Sequence, residues 1–551
     1  CVATYRQPGI LPYEERLQAL LVDSKFRDTL SSFPLGVNSE LIEPSHRREL
    51  MPVLLRILYG IMIARRGRNS SNQGPAARKH AILAALAGCT AEDLGTLVHL
   101  MLQPFHPLLE KPESSTKFTI SDDILDMVDH IPRRAQSGFL SMLADVLKHL
   151  SKQIVPLWPV LLSTTIRLTA AAQRSIGKET HHQVFEDGET EDTQEVHSGS
   201  VRSIRTLGVR RLADFFKAPV DFDFEFYMPA IFASIISPRL PTLPQENTQS
   251  PSALMEIFGT WSSRPEMTFF LVRYDPTVLP QMFLCLAQPR VKPIVVTHIL
   301  DLADRLLAYA REDGQDSLIV QKIIQPHVGA LLDGLVTYMA SAASKNNSGR
   351  DEIIKRQISI LSQIAHHVDT SEQAQQIIEM LLPLLRRPGK QVPERVKADI
   401  LTTLHALLPS VNDFTDLEST FHRGIYNSLA SLFRSLYTRA ARDSLVKAFQ
   451  TFTLANPALS SIINVIGEIN AFSVKRIDEP DFDRRLTGYA RINDAHTTYG
   501  LSHWIPLLHN FLFYIQDAEE LTIRSNASTC LKLFIDFVIR GETSEEKDNV
   551  L

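Results

Sequence analysis

The stretch at residues 392–409, VPERVKADILTTLHALLP, decides the fold class of this 551-residue chain. Its apolar residues form one stripe along a helix of 3.6 residues per turn: Val396, Ile400, Leu401, Leu404, Leu407 and Leu408. Residues 353–368 and 521–539 carry similar stripes, and we find no convincing period-two stretch of the kind that marks a half-buried strand. The sequence therefore predicts an all-α protein.

The predicted helices come in pairs. The first helix of a pair places apolar residues on both sides of a proline, as in LLPLL at 381–385 and WIPLL at 504–508, and the second opens with a basic residue. First helices are expected at intervals of 52, 49, 38 and 44 residues, beginning near Ile319, Ser371, Thr420, Ala458 and Ser502. These intervals lie around the ~40–47-residue period of HEAT and armadillo repeats.

Stacking of these pairs follows from their surface. Each pair has more apolar face than it can bury alone, so neighbouring pairs must pack on one another. The sequence therefore predicts a HEAT/armadillo-like α-solenoid, a superhelix of antiparallel helix pairs, as a single segment over residues 1–551. The length excludes one compact core, because such cores stop growing near ~250–300 residues. An irregular helical bundle is the alternative architecture.

Composition excludes further classes. The chain has 57 Lys and Arg against 62 Asp and Glu, a net charge of −5, which excludes a histone-like polycation but allows a local basic patch. Its four cysteines are far apart, which argues against a thiolate zinc site or a disulfide framework and favours a reducing compartment. The most apolar runs, 54–64 and 154–166, are shorter than the ~18–20 residues that cross a membrane, so no membrane association is expected. Because the chain starts at Cys1 rather than Met, we expect a piece of a longer polypeptide.

Two stretches interrupt the helical pattern. Residues 178–196, KETHHQVFEDGETEDTQEV, hold seven acidic residues and one lysine, and we expect an acidic flexible loop insertion there. Residues 65–74, RRGRNSSNQG, form a polar connection between two strong helices.

The signatures of nucleotide-binding loops, zinc proteases and serine hydrolases are absent. The sequence therefore predicts no enzyme, no cofactor, no metal site and no small-molecule substrate.

A basic cluster is the strongest functional signal. Between Pro44 and His80, eight basic residues stand against one acidic residue, Glu49. Arginine forks contact phosphate through two nitrogens, so the residues that flank the polar connection are candidate RNA-phosphate contacts: Arg65, Arg66, Arg68, Arg78 and Lys79. Aromatic residues are few nearby, which favours a duplex, a folded RNA surface or an acidic protein over stacked single-stranded bases. A solvated loop, or pairing with acidic side chains of adjacent helices, is the alternative interpretation.

Several stretches carry a family resemblance: RRELMPVLLRILYG at 47–60, RRG at 65–67, RKHAIL at 78–83, GFLSML at 138–143 and SPRL at 237–240. The chain resembles the DRIM (down-regulated in metastasis) family, the family of the twentieth U-three-snoRNA-associated protein of the small-subunit processome. The likeness covers residues 47–307 and fades into generic HEAT-like helices beyond them. One position departs from the family pattern, because Ile61 stands where a basic residue is expected.

The resemblance implies an internal fragment of a very large nucleolar HEAT-repeat protein. It implies a non-catalytic scaffold of the small-subunit processome, or 90S pre-ribosome, that organises components during 18S rRNA maturation. The implied partners are pre-ribosomal RNA, the U-three snoRNP and other small-subunit assembly factors, and no catalytic residues are carried over. An importin- or adaptor-like repeat protein that binds only proteins is the alternative, although three Trp residues are few for its peptide groove. A helical regulatory subunit of a kinase-like or phosphatase complex is a further one.

Changing Arg65, Arg66 and Arg68 to Glu is expected to weaken association with the pre-ribosomal particle. The free energy of unfolding should change by only ~0.5 kcal/mol, as for most substitutions in a surface loop. Sedimentation measures the association, thermal unfolding measures the stability, and RNA crosslinks to these arginines report contact directly. Strong destabilisation would reveal structural pairing instead, and the absence of crosslinks would exclude the phosphate role.

Overall fold

The computed structural model describes residues 7–22, 24–64, 75–109, 116–182, 191–313, 317–342, 350–474, 476, 479–516 and 520–540. Regular structure within these residues is helical, and the one β-type feature among them is an isolated antiparallel bridge between Phe472 and Pro480. The predicted all-α class is therefore confirmed. The chain divides into two compact units, one formed by Cys1–Asn247 with Pro251–Gln281 and the other by Thr248–Ser250 with Met282–Leu551.

The first unit begins with short helices and continues with long ones. In chain order its helices are α1 (Glu14–Leu20), α2 (Phe26–Ser31), α3 (Pro44–Ile63), α4 (Pro75–Leu86), α5 (Ala91–Leu102), α6 (His106–Leu109), α7 (Asp122–His130), α8 (Arg133–Leu150), α9 (Trp158–His182), α10 (Glu191–Lys217), α11 (Met228–Ile231), α12 (Leu243–Glu246), α13 (Ala253–Trp261) and α14 (Phe270–Arg273). Helix α15 (Val278–Leu284) contains the boundary between the units. A π-helical turn at Phe232–Ile236 follows α11 directly. Single 3-10 turns lie at Leu11–Tyr13, Gln103–Phe105, Val155–Leu157, Ser237–Thr242 and Pro265–Met267.

These helices form two parallel rows. In one row α2, α4, α8, α10 and α13 lie side by side, each packed on the next. In the other row α3 packs on α5, α5 on the 3-10 turn that leads into α9, and α9 on the π-helical turn after α11. The rows are joined by the pairs α3–α4, α5–α8 and α9–α10. This is the arrangement in which each pair buries its apolar face against its neighbours.

The second unit repeats the arrangement more regularly. Its helices are α16 (Pro293–Asp313), α17 (Val328–Ala342), α18 (Arg350–Ile364), α19 (Ser371–Leu385), α20 (Glu394–Leu407), α21 (Thr420–Leu432), α22 (Arg439–Gln450), α23 (Ser460–Ile469), α24 (Phe482–Ala495), α25 (Leu501–Tyr514) and α26 (Leu521–Arg540). A π-helical turn at Val320–Ile324 precedes α17. The 3-10 turns lie at Cys285–Ala287, Gln325–His327, Ala365–His367, Leu408–Ser410, Asn412–Phe414, Thr451–Leu454, Pro457–Leu459 and His496–Thr498.

Two rows are present here as well. One contains α16, α18, α20 and α22, and the other contains α17, α19, α21 and α25, with each helix packed on the next in its row. Three first helices begin where the sequence predicts them or one residue away, at Ser371, Thr420 and Leu501. The α-solenoid class is therefore confirmed within each unit. The continuation of one uninterrupted segment over residues 1–551 stays a prediction.

Helix α24, the second helix of its pair, is not predicted by the sequence pattern. Its sequence, FDRRLTGYARINDA, has few large apolar residues, and those that are buried, Tyr489 and Ile492, are three positions apart. Gly488 lets this helix approach its neighbour closely, because a Cβ at this position would lie 2.8 Å from a methyl carbon of Ile469. A short stripe of this kind is weak evidence for a helix until a packing partner is known.

The stretch predicted as an acidic loop is helical at both ends. Helix α9 continues to His182 and α10 already begins at Glu191, so residues 178–182 and 191–196 are not loop. Residues 183–190 lie outside the described residues. The prediction took high charge as a sign of loop, but Glu and Lys have good helix propensity and extend a helix that is already nucleated.

Helix α9 is more apolar than the sequence analysis indicated. Within the described residues, the segment Val155–Gly177 has a length and a mean hydropathy of 1.2 that would allow it to cross a membrane, but 72% of its apolar 18-residue window is buried inside the protein. Its buried hydroxyls donate to carbonyls one turn back, as from Thr165 to Leu161 at 2.8 Å and from Thr169 to Thr165 at 2.7 Å. Packing in the core therefore accounts for its apolar composition.

A buried arginine organises the second unit. Arg442 of α22 is 1% exposed, and its guanidinium donates to the carbonyl oxygens of Phe433 at 3.0 Å and Leu436 at 2.6 Å. It also donates to the amide oxygens of Asn470 at 2.7 Å and Asn510 at 3.1 Å. No acidic side chain pairs with it in the described part of the chain, and burial lowers the pKa of Arg442. Neutral acceptors from three successive repeats therefore hold one desolvated cation.

Replacing Arg442 with Met is expected to lower the free energy of unfolding of the second unit by about 3–5 kcal/mol, because four buried acceptors each lose a charged donor. Chemical denaturation followed by circular dichroism measures this change. The matched control is Arg434→Met in the preceding connection, where the arginine is exposed and the change should stay within ~0.5 kcal/mol. Equal effects of the two substitutions would contradict the structural role of Arg442.

Candidate nucleic-acid interface

The first basic residue of the cluster is part of the core. Arg47 lies in α3 with its side chain 15% exposed and binds both carboxylate oxygens of Asp93, at 2.7–3.1 Å. The same guanidinium donates to the carbonyl oxygens of Leu35 at 2.8 Å and Gly36 at 3.2 Å. All three guanidinium nitrogens of Arg47 therefore donate hydrogen bonds within the protein. Arg47 therefore anchors α3 to α5 and is not a surface contact.

The partner of Arg47 is itself tied to the start of a helix. Asp93 accepts hydrogen bonds from the backbone nitrogen and hydroxyl of Thr90, which caps α5. Burial alone would raise the pKa of the Asp93 carboxyl, but the hydrogen bonds from Arg47 and Thr90 outweigh it and hold the pKa below its ordinary value of 3.8. The ionised carboxylate is the form that stabilises this unit.

Two other arginines of the cluster remain on the surface. Arg48 and Arg56 on α3 are exposed, and neither forms an ion pair with any residue that the structure describes. Gly60, one turn beyond Arg56, has open space where a Cβ would be, so the surface of α3 is unobstructed there. These side chains are available to an external anion.

The five predicted phosphate contacts divide into two groups. Arg65, Arg66 and Arg68 lie outside the described residues. Arg78 and Lys79 lie on α4, both partly exposed, and Lys79 forms an ion pair with Asp145 of α8. For Lys79 the structure shows the alternative that the sequence left open, pairing with an acidic neighbour. The role of all five as phosphate contacts stays a prediction.

A histidine pair extends the polar contact between α4 and α8. The Nδ1 atom of His80 lies 3.3 Å from Nε2 of His149, and the ring centroids are 4.7 Å apart. Burial lowers the pKa of His149, and the nearby His80 and Lys148 lower it further. The two imidazoles lie within hydrogen-bond distance, so the pair joins two repeats.

The aromatic residues at the end of α10 and in its connection to α11 belong to the core. Phe215 and Phe216 are fully buried, and Phe215 lies edge-on to Trp158 with ring centroids 5.1 Å apart. Phe224 and Tyr227 are 3% and 4% exposed. Their burial shows that these four rings pack in the core and do not form an exposed interface.

The structure offers little reactive chemistry in its described residues. The thiols of Cys89, Cys285 and Cys530 are buried, and burial raises their pKa values to about 11, 12 and 12. Thiols in that state are poor nucleophiles and poor metal ligands. Among the described residues, no group of three or more His, Cys, Asp or Glu side chains is placed to hold a metal ion.

Comparison with known proteins assigns this chain to a family. The family described as U3 small nucleolar RNA-associated protein 20, N-terminal, matches residues 1–551. The chain belongs to this family. It is 29% identical over 559 residues to U3 small nucleolar RNA-associated protein 20 of Schizosaccharomyces pombe, covering 99% of this chain. It is 25% identical over 542 residues to the Saccharomyces cerevisiae protein of the same name, covering 97% of this chain.

The family assignment confirms the resemblance inferred from the sequence and extends it. The resemblance in the sequence covers residues 47–307, but the family match also includes the generic helices beyond them. The chain spans 21% and 20% of the length of the two U3 small nucleolar RNA-associated protein 20 relatives. The expectation that this sequence corresponds to a piece of a longer protein agrees with that share.

The Asp93 carboxyl gives the first unit a specific acid response. Since its pKa is lower in the folded than in the unfolded state, its stabilisation is complete above the unfolded value and is lost as pH falls through the folded one. Replacing Asp93 with Asn should lower the free energy of unfolding at pH 7 by about 1–3 kcal/mol, because Arg47 loses its charged acceptor. Between about pH 7 and about pH 2, the stability measured by thermal unfolding should fall less steeply in the variant than in the wild type.

The control for this measurement is Glu92→Gln. Glu92 is exposed in the same first turn of α5 and has no side-chain hydrogen bond or ion pair within the described residues. Its removal should leave both the stability at pH 7 and the acid slope close to those of the wild type. Parallel acid slopes for Asp93→Asn and the wild type would contradict the assignment.

Proposed function

We propose that this chain is a non-catalytic helical-repeat scaffold in small ribosomal subunit assembly. Within the small-subunit processome of the nucleolus it organises pre-ribosomal RNA and assembly factors during 18S rRNA maturation. The observation that carries the proposal is the match of all 551 residues to the family named for association with the U3 small nucleolar RNA. The stacked helix pairs of each unit are suited to this role, because they present exposed helix ends and connections from many repeats.

The mechanism that we propose is geometric. A packed row of helices fixes the distances between its exposed side chains, since the helices share one continuous core. Several weak contacts on such a surface strengthen each other, because binding at one raises the effective concentration at the next. No bond is made or broken in this role, so it needs positioned charges and not reacting groups.

In the first unit, we place an RNA contact on α3 and the start of α4. Arg48 and Arg56 are exposed without ion pairs in the described residues, and Arg78 is partly exposed on the next helix, α4. Arg65, Arg66 and Arg68 fall in the connection that joins the two helices. Charge of one sign on neighbouring elements attracts phosphate through counterion release without reading base sequence.

The proposal is tested with the full-length parent protein. Affinity purification of a tagged copy should enrich the U3 small nucleolar RNA and 18S precursors relative to an unrelated nuclear RNA. Deleting residues 1–551 from the parent should reduce that enrichment and cause 18S precursors to accumulate, as measured by northern blotting. Co-purification of transport cargo with no enrichment of U3 RNA would favour the importin-like alternative and exclude the proposed role.

A further inference from the structure

Two adjacent connections in the second unit form one continuous surface. The α19–α20 connection meets the α21–α22 connection where the carboxylate of Glu394 accepts hydrogen bonds from the backbone nitrogens of Tyr437 at 3.1 Å and Thr438 at 2.7 Å. In addition, Nη2 of Arg386, at the end of α19, donates to Oγ of Ser428 in α21 at 2.8 Å. The spacing of the two connections is therefore fixed by direct bonds between repeats. We call this surface the basic edge, formed by Arg386, Arg387, Lys390, Arg395, Arg434 and Tyr437.

The cations of the basic edge are not neutralised by the protein. Arg386, Lys390, Arg395 and Arg434 are exposed and Arg387 is partly exposed, and none of these five forms an ion pair with a described residue. The stretch 386–395 contains a single acidic residue, Glu394, whose carboxylate is already occupied by backbone N–H groups. Five positive charges thus face solvent across two successive repeats.

Helix stabilisation explains only part of this charge. Arg386 and Arg387 follow the last turn of α19, where a cation interacts favourably with the helix dipole. Lys390 lies beyond that turn, and Arg395 lies in the first turn of α20, where the dipole disfavours a cation. The charge therefore exceeds what local structure requires, which points to a ligand that is negatively charged.

An exposed aromatic ring accompanies the cations. Tyr437 is 68% exposed, and its ring rests on that of Phe513 in α25, with centroids 5.3 Å apart. Its backbone is held by Glu394, so the ring is presented on a fixed support. Exposed rings beside cationic side chains are the feature by which proteins bind unpaired bases, since any base can stack on them. A purely acidic peptide offers no base that could stack on such a ring.

The opposite ends of the same helices carry the opposite charge. The α18–α19 and α20–α21 connections meet where the backbone nitrogen of Asn412 donates to Oγ of Ser371 at 2.9 Å. Five acidic residues lie in or next to these two connections: Asp369, Glu372, Asp413, Asp416 and Glu418. A polyanion is therefore attracted to one edge of the unit and repelled by the other, which orients its approach.

We propose that the basic edge binds a segment of single-stranded RNA, with its phosphates on the arginine and lysine side chains and one base stacked on Tyr437. This RNA contact is separate from the one on α3 and α4, where aromatic residues are few. The inference rests on the proposed function only for the source of the RNA, since binding itself is measured directly.

The charge of the edge is tested with a pair of triple variants of the 551-residue chain. Arg387→Glu, Lys390→Glu and Arg395→Glu together reverse three charges of the basic edge. The control, Lys322→Glu, Lys447→Glu and Lys532→Glu, makes the same change of charge at exposed lysines elsewhere in the second unit that form no ion pair with a described residue. Fluorescence anisotropy with a fluorescein-labelled oligouridine of about 20 nucleotides, several times the span of one site, measures affinity at several salt concentrations.

The edge variant should bind oligouridine about tenfold or more weakly, and its slope of log K against log salt should fall by about 2, from three lost phosphate contacts on a single strand. The control variant should keep both the affinity and the slope of the wild type. Circular dichroism melts confirm that both variants are folded. Equal losses in the two variants, or unchanged binding by the edge variant, would overturn the proposal.

The stacking contact has its own test. Tyr437→Ala should weaken oligouridine binding about tenfold with an unchanged salt slope, because a stacked base is lost and no charge is removed. Tyr437→Phe should retain binding, and affinity for an RNA duplex should be the same in all three proteins. An alanine variant that binds oligouridine as tightly as the wild type would show that the ring is not used.

A labelled polyglutamate peptide serves as the competing ligand. If the edge variant loses polyglutamate binding while it keeps oligouridine binding, the edge belongs to an acidic protein partner and the RNA proposal is overturned. The proposed function is contradicted by a different result: a parent protein with an intact basic edge that does not enrich U3 RNA. The two results are therefore distinguishable.

Discussion

The burial of apolar helix faces between neighbouring repeats is the constraint on which the rest of the structure depends. A two-helix unit presents apolar surface on both sides, and water is excluded from it only when another pair packs there. The two rows of helices in each unit satisfy this requirement repeat by repeat. Long helices such as α9 contribute apolar side chains along most of their length, and these lie in the core.

Polar groups inside this stack are accepted only where the fold supplies their partners. Arg442 remains charged in the core because carbonyl and amide oxygens from three repeats surround its guanidinium. Arg47 is satisfied by Asp93 and two carbonyls in the first unit. Both arginines bridge helices that are far apart in sequence, so they add specificity to contacts that apolar packing alone would leave adjustable.

Charge that is not used in this way is exposed at the connections of the second unit and along α3 in the first. Within the second unit the cations of the basic edge and the acidic residues of the opposite side lie at the two ends of the same helices. In the first unit Lys79 is paired across repeats, whereas Arg48 and Arg56 are exposed. Exposed charge is therefore spread over several repeats.

The sequence by itself determined the helical class, the pairing of the helices and several of their starting points, because the 3.6-residue period and its interruptions are local properties. It did not determine α24, whose short stripe gains meaning only against Ile469, or the helical ends of the acidic stretch. It identified a basic cluster by counting charges along the chain, but counting could not separate the ion-paired Arg47 from the exposed Arg48. Only the tertiary structure decided which cations are paired and which connections meet, because Asp93, Asp145 and Glu394 reach their partners across more than 40 positions of sequence.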